Sequence, residues 1–220
     1  MECVEDIEWR ISDEPVAYEG ALRFMEQRVA AIRDGTAREC VWLLEHSSLF
    51  TAGTSADPAE LFNPQNFPVY EAGRGGRYTY HGPGQRVGYV MLDLEKRGKD
   101  IRCFVHALEG WMIDALAELG LAAHRAPGRI GIWVGGGEDE TKIGALGVRV
   151  KRWVTLHGFA INVAPDLSHF SGIVPCGIAD FGVTSLAEQG KQIAVSGVDA
   201  ALKRSFLSFL KALGPQCKES

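Results

Sequence analysis

Cys176 stands in the run IVPCGI, between Pro175 and Gly177, where the chain cannot continue a helix and a sharp turn would present the thiol on a loop. Most cysteines are small buried hydrophobes. Cys40 and Cys103, set among the apolar positions of a strand-like and a helix-like stretch, fit that description, and Cys176 does not. A thiol does covalent chemistry when a nearby cation or base raises its thiolate fraction. Three residues qualify as that partner: His81 in a glycine-rich loop, His157 in the run VTLHGFAINV, and Lys142 at the head of KIGALGVRV. A lysine followed by apolar and glycine residues can be partly desolvated and act as a base, or it can simply snorkel from a strand end. The residues alone leave the partner open and limit the chemistry to acyl transfer, thiol redox or none.

Glycine marks the second candidate region. The chain has 26 glycines in 220 residues, where average usage of about 7% would give about 15. Six lie between Gly73 and Gly88 and seven between Gly128 and Gly147, so half occupy 36 residues. Concentration of this kind indicates close backbone approach. A phosphate cradle is excluded, because there is no GxxxxGK[ST], and GPGQRVG lacks both the GxGxxG spacing and a helix after it. RGGRYTYHGPGQ, 74–85, combines its glycines with two tyrosines, a histidine, the glutamine Gln85 and two arginines, as a binding surface would; an ordinary tight turn at Gly82, Pro83 and Gly84 is the alternative.

The elements that must carry these residues follow from periodicity. Ala21, Phe24, Met25, Val29 and Ile32 predict an amphipathic helix over 17–33, and ECVWLLEH (39–46) and 87–94 predict buried strands. Asp100 begins a second helix with Ile101, Phe104, Val105, Leu108, Met112, Ala115 and Leu116 on one face and Gly120 at its end. The period then changes to two. IGIWV (130–134), KIGALGVRV (142–150) and VTLHGFAINV (154–163) follow one another through short links and must pair antiparallel. A last helix runs through Val198, Leu202, Phe206, Phe209, Leu210 and Leu213. The expectation is one α+β domain over 1–220, with a mixed, largely antiparallel sheet and flanking helices, and not a doubly wound nucleotide fold.

Charge and cysteine usage set further bounds. The formal net charge is -5, but residues 74–152 hold 13 basic and 9 acidic residues, a net of +4 that could receive an acidic partner. No concentrated basic face points to nucleic acid, and no apolar run approaches the 18 or so residues of a membrane span. The start MECVEDIEWR is acidic where a signal peptide would be basic and then apolar. Five scattered cysteines suggest free thiols in a reducing cytoplasm.

Taken together, RGGRYTYHGPGQ, KIGALGVRV, LHGFAIN and IVPCGI resemble, in the same order, the signature segments of the lipoyl(octanoyl) transferases of lipoate biosynthesis. LLEHSSLFTAG (43–53) and GVTSL (182–186) also match, so the likeness runs from about residue 17 to 190. The resemblance implies the fold of the biotin and lipoate protein ligases, with neither a cofactor nor a metal. It implies that Cys176 takes an octanoyl group from octanoyl-acyl carrier protein as a thioester, with Lys142 as its dyad partner. The acceptor would be a lysine of an apo lipoyl domain, as in the glycine cleavage H protein or the E2 subunits of oxo-acid dehydrogenases. Arg74, Gly75, Gly76, Arg77, Tyr78, Thr79, Tyr80 and His81 would line the octanoyl site with Ala145, Leu146, Gly147, Gly158, Phe159 and Ala160. Ser47 and Ser48 stand where many relatives have prolines, and Gly135–Thr141 form a flexible acidic insert before Lys142. An ATP-dependent lipoate or biotin ligase, or a non-catalytic acyl-binding relative, are the alternatives.

Overall fold

The protein is described by a computed structural model over residues 2–174 and 182–214; Cys176 lies outside the described residues. Eleven strands and three long helices are described: β1 (Glu2–Val4), β2 (Ile7–Ile11), α1 (Tyr18–Arg33), β3 (Cys40–Leu44), β4 (Leu49–Ala52), β5 (Val69–Glu71), β6 (Thr79–His81), β7 (Gln85–Met91), α2 (Ile101–Glu118), β8 (His124–Ala126), β9 (Arg129–Val134), β10 (Thr141–Lys151), β11 (Val154–Asn162) and α3 (Val195–Ala212). Eight strands form one sheet in the order β1-β2-β3-β7-β11-β10-β9-β8, and β5-β4-β6 form a second. Every neighbouring pair of the large sheet is antiparallel except β2 with β3. The α+β expectation holds, and the three consecutive runs from 130 pair as foreseen.

Burial explains the layers. β7 and β11 are buried at every residue, as strands covered on both faces must be. On one face α1 packs Ala21, Met25, Val29 and Ile32 against Trp42, Leu44, Val87, Tyr89 and Leu156. On the other, α2 and α3 enclose the larger core, where Trp111 stacks on Phe209 at 4.8 Å and its Nε1 donates to the Leu202 carbonyl. Asp100 caps α2 by accepting from the Cys103 amide at 3.0 Å. One ion pair crosses the core: Arg86 of β7 donates through Nε and Nη2 to both carboxylate oxygens of Asp199 on α3, each at 2.7 Å.

Three expectations change. Cys40 is a buried free thiol, with ionisation pushed up to about 12 by burial, but Cys103 is disulfide-bonded. Helix packing sets its sulfur 3.7 Å from the Ala212 carbonyl at the end of α3, so the thiols are not all free. The 135–141 link is a hairpin connection between β9 and β10 that contains a short turn at Gly137–Asp139, and its Glu140 carboxylate is bound by His124 Nε2 at 2.6 Å and by Arg129. The positive excess of 74–152 is answered in part by carboxylates from outside the stretch, in the pairs Arg77–Glu60, Arg86–Asp199, Arg97–Glu39 and Arg152–Asp34.

Candidate active site

The glycine-rich loop after β5 is organised from within by Arg74. Its buried guanidinium donates to the carbonyls of Gly75 (2.9 Å), Arg77 (3.1 Å) and Thr51 (3.1 Å) and to Thr51 Oγ1 (2.7 Å). This rigid fork wraps the loop around itself. The Gly75 amide then donates to the Val148 carbonyl at 3.0 Å, pinning the loop to β10. Such contact requires missing side chains: a Cβ at Gly53 would come within 2.1 Å of the Gly76 carbonyl oxygen, and one at Gly147 within 2.9 Å of Arg74 Cδ.

Between this loop, β10 and β11 lies a cavity of about 450 Å³. Arg74, Gly75, Gly76, Arg77, Tyr78, Thr79 and His81 line it, as do Ala145, Leu146, Gly147, Gly158, Phe159 and Ala160. Three separated stretches of sequence therefore converge on one space. Tyr80 is the exception among the expected lining residues. Alternation along β6 turns it away from Thr79 and His81, and its hydroxyl bonds His169 Nδ1 (2.8 Å) and Ser48 (3.0 Å) in the small sheet's own aromatic cluster.

Lys142 lies on the second residue of β10, only 6% exposed. It borders a smaller space of about 20 Å³ whose lining shares Tyr78, Thr79 and Ala145 with the cavity. Its amide donates to the Gly182 carbonyl and its carbonyl accepts from the Thr184 amide, both at 2.9 Å. The chain thus rejoins the large sheet beside Lys142 directly after residues 175–181. Upstream, the Val174 amide donates to the Glu60 carbonyl at 2.9 Å.

The two histidines weighed as partners for the cysteine have other roles. His81 Nδ1 donates to Gln85 Oε1 at 2.7 Å, and burial, reinforced by His46, lowers its pKa to about 3. Gln85 Nε2 donates to Asn162 Oδ1 (3.0 Å), and Asn162 Nδ2 to the Thr184 carbonyl (2.9 Å), so a buried relay joins the glycine loop to the strand beside Lys142. His157 has φ +62° in the middle of β11, a left-handed backbone uncommon for a non-glycine residue. Burial first, then Arg74, lowers its pKa to about 4, and its Nε2 is buried without a hydrogen-bond partner. Tyr18, whose hydroxyl is likewise unpartnered, and His157 both line the cavity.

Asn162, Tyr18, Tyr89 and His46 are site residues that the sequence did not mark, whereas Gln85 belongs to the loop read as a binding surface. Tyr89 lines the cavity and bonds His46 Nε2 at 2.7 Å; since His46 Nδ1 donates to the Val16 carbonyl, the tyrosine must be the donor. Asn162 stands inside the segment LHGFAIN, and only its burial reveals it. Among the described residues no three His, Cys, Asp or Glu side chains gather as a metal site, and no helix is long and apolar enough to cross a membrane.

A family model described as the lipoyl protein ligase A/B catalytic domain matches residues 17–207, and the chain belongs to this family. Within it, the chain is 66% identical over 201 residues to a protein named Octanoyltransferase from Rhodospirillum rubrum, covering 91% of this chain and 93% of that one. An Octanoyltransferase of Zymomonas mobilis is 55% identical over 217 residues, covering 99% and 100%. The fold is shared with a bipartite lipoate protein ligase of Thermoplasma acidophilum, with a TM-score of 0.69, 17% identity and coverage of 93% and 84%. Lipoate-protein ligase A bound with ATP gives 0.68 at the same identity, covering 93% and 86%.

Proposed function

We propose that the protein transfers an octanoyl group from octanoyl-acyl carrier protein, through a thioester on Cys176, to the ε-amine of a lysine on apo lipoyl domains. The observation that carries this reading is the convergence of residues from the 74–81, 145–147 and 158–160 segments on one cavity, with Lys142 in the adjoining smaller space and bonded to residues 182 and 184, which follow the cysteine segment. Relatives named Octanoyltransferase at more than half identity support the acyl group.

In the first half-reaction the Cys176 thiolate, whose proton is held on the Lys142 ammonium, attacks the thioester carbonyl. Collapse of the tetrahedral intermediate expels the carrier thiolate, which takes that proton. In the second, the acceptor amine attacks the enzyme thioester, an amide forms, and the amine proton returns through Lys142 to the departing cysteine. Thioester exchange is close to isoenergetic and the amide is the more stable product, so no nucleotide is required. Two easier steps replace one difficult aminolysis. An apolar wall adds about 0.8 kcal/mol for each methylene it buries, which is how the cavity would select chain length.

The test is intact-mass analysis after incubation with octanoyl-carrier protein and no ATP, followed by peptide mapping. A single octanoyl adduct on the Cys176 peptide, discharged by an apo lipoyl domain, is expected. An unmodified protein, or transfer only with ATP, would overturn the reading.

A further inference from the structure

Lys142 reaches the edge of the cavity along a defined path across β9. In the β9/β10 pairing Lys142 stands opposite Trp133, and the register shifts between Lys142 and Gly144. The Lys142 Nζ lies 4.9 Å from the centre of the Trp133 ring. Two residues before Trp133, and so on the same face of the strand, is Gly131, with φ +130°. A Cβ there would come within 2.6 Å of Lys142 Cε and 3.0 Å of both its Nζ and the Gly144 carbonyl oxygen. The bare face of Gly131 thus receives the end of the lysine side chain, and the tryptophan ring receives its charge. The ring is itself held: the Arg129 guanidinium lies 4.5 Å from its centre and is bound by Glu140, which also binds His124.

We propose that Gly131 and Trp133 are positioning residues for the transfer, forming a seat that fixes the Lys142 ammonium at the edge of the acyl cavity. The inference rests on the Cys176/Lys142 reading above and goes beyond it by naming what places the lysine. An indole face attracts an ammonium by its quadrupole without itself accepting a conventional hydrogen bond. A carboxylate in the same place would neutralise the charge that a neighbouring thiol needs. The glycine sets depth: a Cβ at 131 would meet the flexible end of the lysine first, and at φ +130° it would also strain the strand beside the Gly144 carbonyl.

The test separates placement from catalysis. In protein labelled with 13C-lysine, a cation lying over an indole gives an upfield-shifted ε-methylene signal, assigned by its loss in Lys142→Arg. That signal is expected to persist in Trp133→Phe and to return to the ordinary lysine position in Trp133→Leu and Gly131→Ala, with the amide spectrum confirming a folded protein in each. Octanoyl transfer is expected to fall about tenfold to a hundredfold in the last two, the scale of an ångström-level misplacement. The pH midpoint of Cys176 alkylation should rise in the same two variants and stay in place in Trp133→Phe. An ordinary ε-methylene shift in the wild type would overturn the seat. So would a Trp133→Leu protein whose alkylation midpoint does not move while that of Lys142→Ala does. An unmoved midpoint in Lys142→Ala, with the upfield signal intact, would instead refute the dyad and with it the seat's part in catalysis.

Discussion

The amide of Lys142 donates to the carbonyl of Gly182, and its carbonyl accepts from Thr184, each at 2.9 Å. The strand residue that carries the candidate base is therefore fastened to the chain immediately after the segment that carries the candidate nucleophile. Cys176→Ser should leave that fastening intact and reduce transfer by at least about a thousandfold, the scale on which removal of a nucleophile acts. A single cooperative thermal transition should show that the variant is folded. Wild-type turnover by the variant would end the nucleophile assignment.

Asn162 connects Gln85 to the Thr184 carbonyl from within the core. Asn162→Ala leaves the buried Thr184 carbonyl unsatisfied, at a cost of about 1–3 kcal/mol, and leaves Gln85 Nε2 with its bond to the Tyr80 carbonyl alone. Urea denaturation should show the loss, and transfer should slow although Asn162 is no nucleophile. A urea midpoint equal to wild type would mean that the relay contributes nothing.

Gly88 pairs with Phe159 across β7 and β11, and a Cβ at 88 would fall 2.3 Å from the ring's Cζ. The ring also lines the cavity and meets Trp111 edge-on at 5.3 Å. Gly88→Ala must displace the ring, an overpacking cost of about 1–3 kcal/mol. Competition between acyl donors of different length should then move toward shorter chains, because the displaced ring occupies acyl space. An unaltered preference together with unaltered stability would contradict the packing described.

His81 and His157, with pKa values of about 3 and about 4, are neutral in the folded protein well below the ordinary histidine range, and His46 is lowered in the same direction by burial. Unfolded, each binds a proton near pH 6.5. The unfolded state therefore holds more protons below that pH. The histidines' contribution is complete above about pH 6.5 and is lost as pH falls toward 4 and then 3, with a slope of roughly 1.4 kcal/mol per pH unit for each. Urea midpoints between pH 7 and 4.5 should fall accordingly, and His157→Gln should flatten the slope by about one proton. A variant with the wild-type slope would show that His157 is not held neutral.

Much of this architecture was readable because its largest pieces have strong periods. α1, α2 and α3 fall where three- and four-residue spacing put them, and β9, β10 and β11 where alternation did. The second sheet was not foreseen, because β4, β5 and β6 are three or four residues long and give too few alternations to register. The hairpin of β1 and β2 turns through Glu5 and Asp6, both at positive φ, and that of β10 and β11 through Arg152 and Trp153, also both positive. Neither carries the Asn-Gly or Gly-Gly pair that usually announces such a turn. The cavity lining was legible as segments, yet Tyr80 leaves it by strand alternation, and Gly131 and Trp133 looked like ordinary residues of a buried strand. Seats of this kind depend on pairing register, which no local pattern specifies. For Cys176 only the positions of its flanks at Val174 and Gly182 are described.

Arg86 gives the end of the chain a consequence for how far the protein can be shortened. The signature segments stop near residue 190, short of the family match, which ends at residue 207. Trimming the chain to the signature boundary would remove Asp199 and strand a guanidinium in the middle of the sheet with no counter-charge, a defect worth about 3–5 kcal/mol and comparable to the whole margin of many domains. The minimal functional unit therefore extends through α3, and deletion libraries should show a cliff at Asp199 rather than a slope.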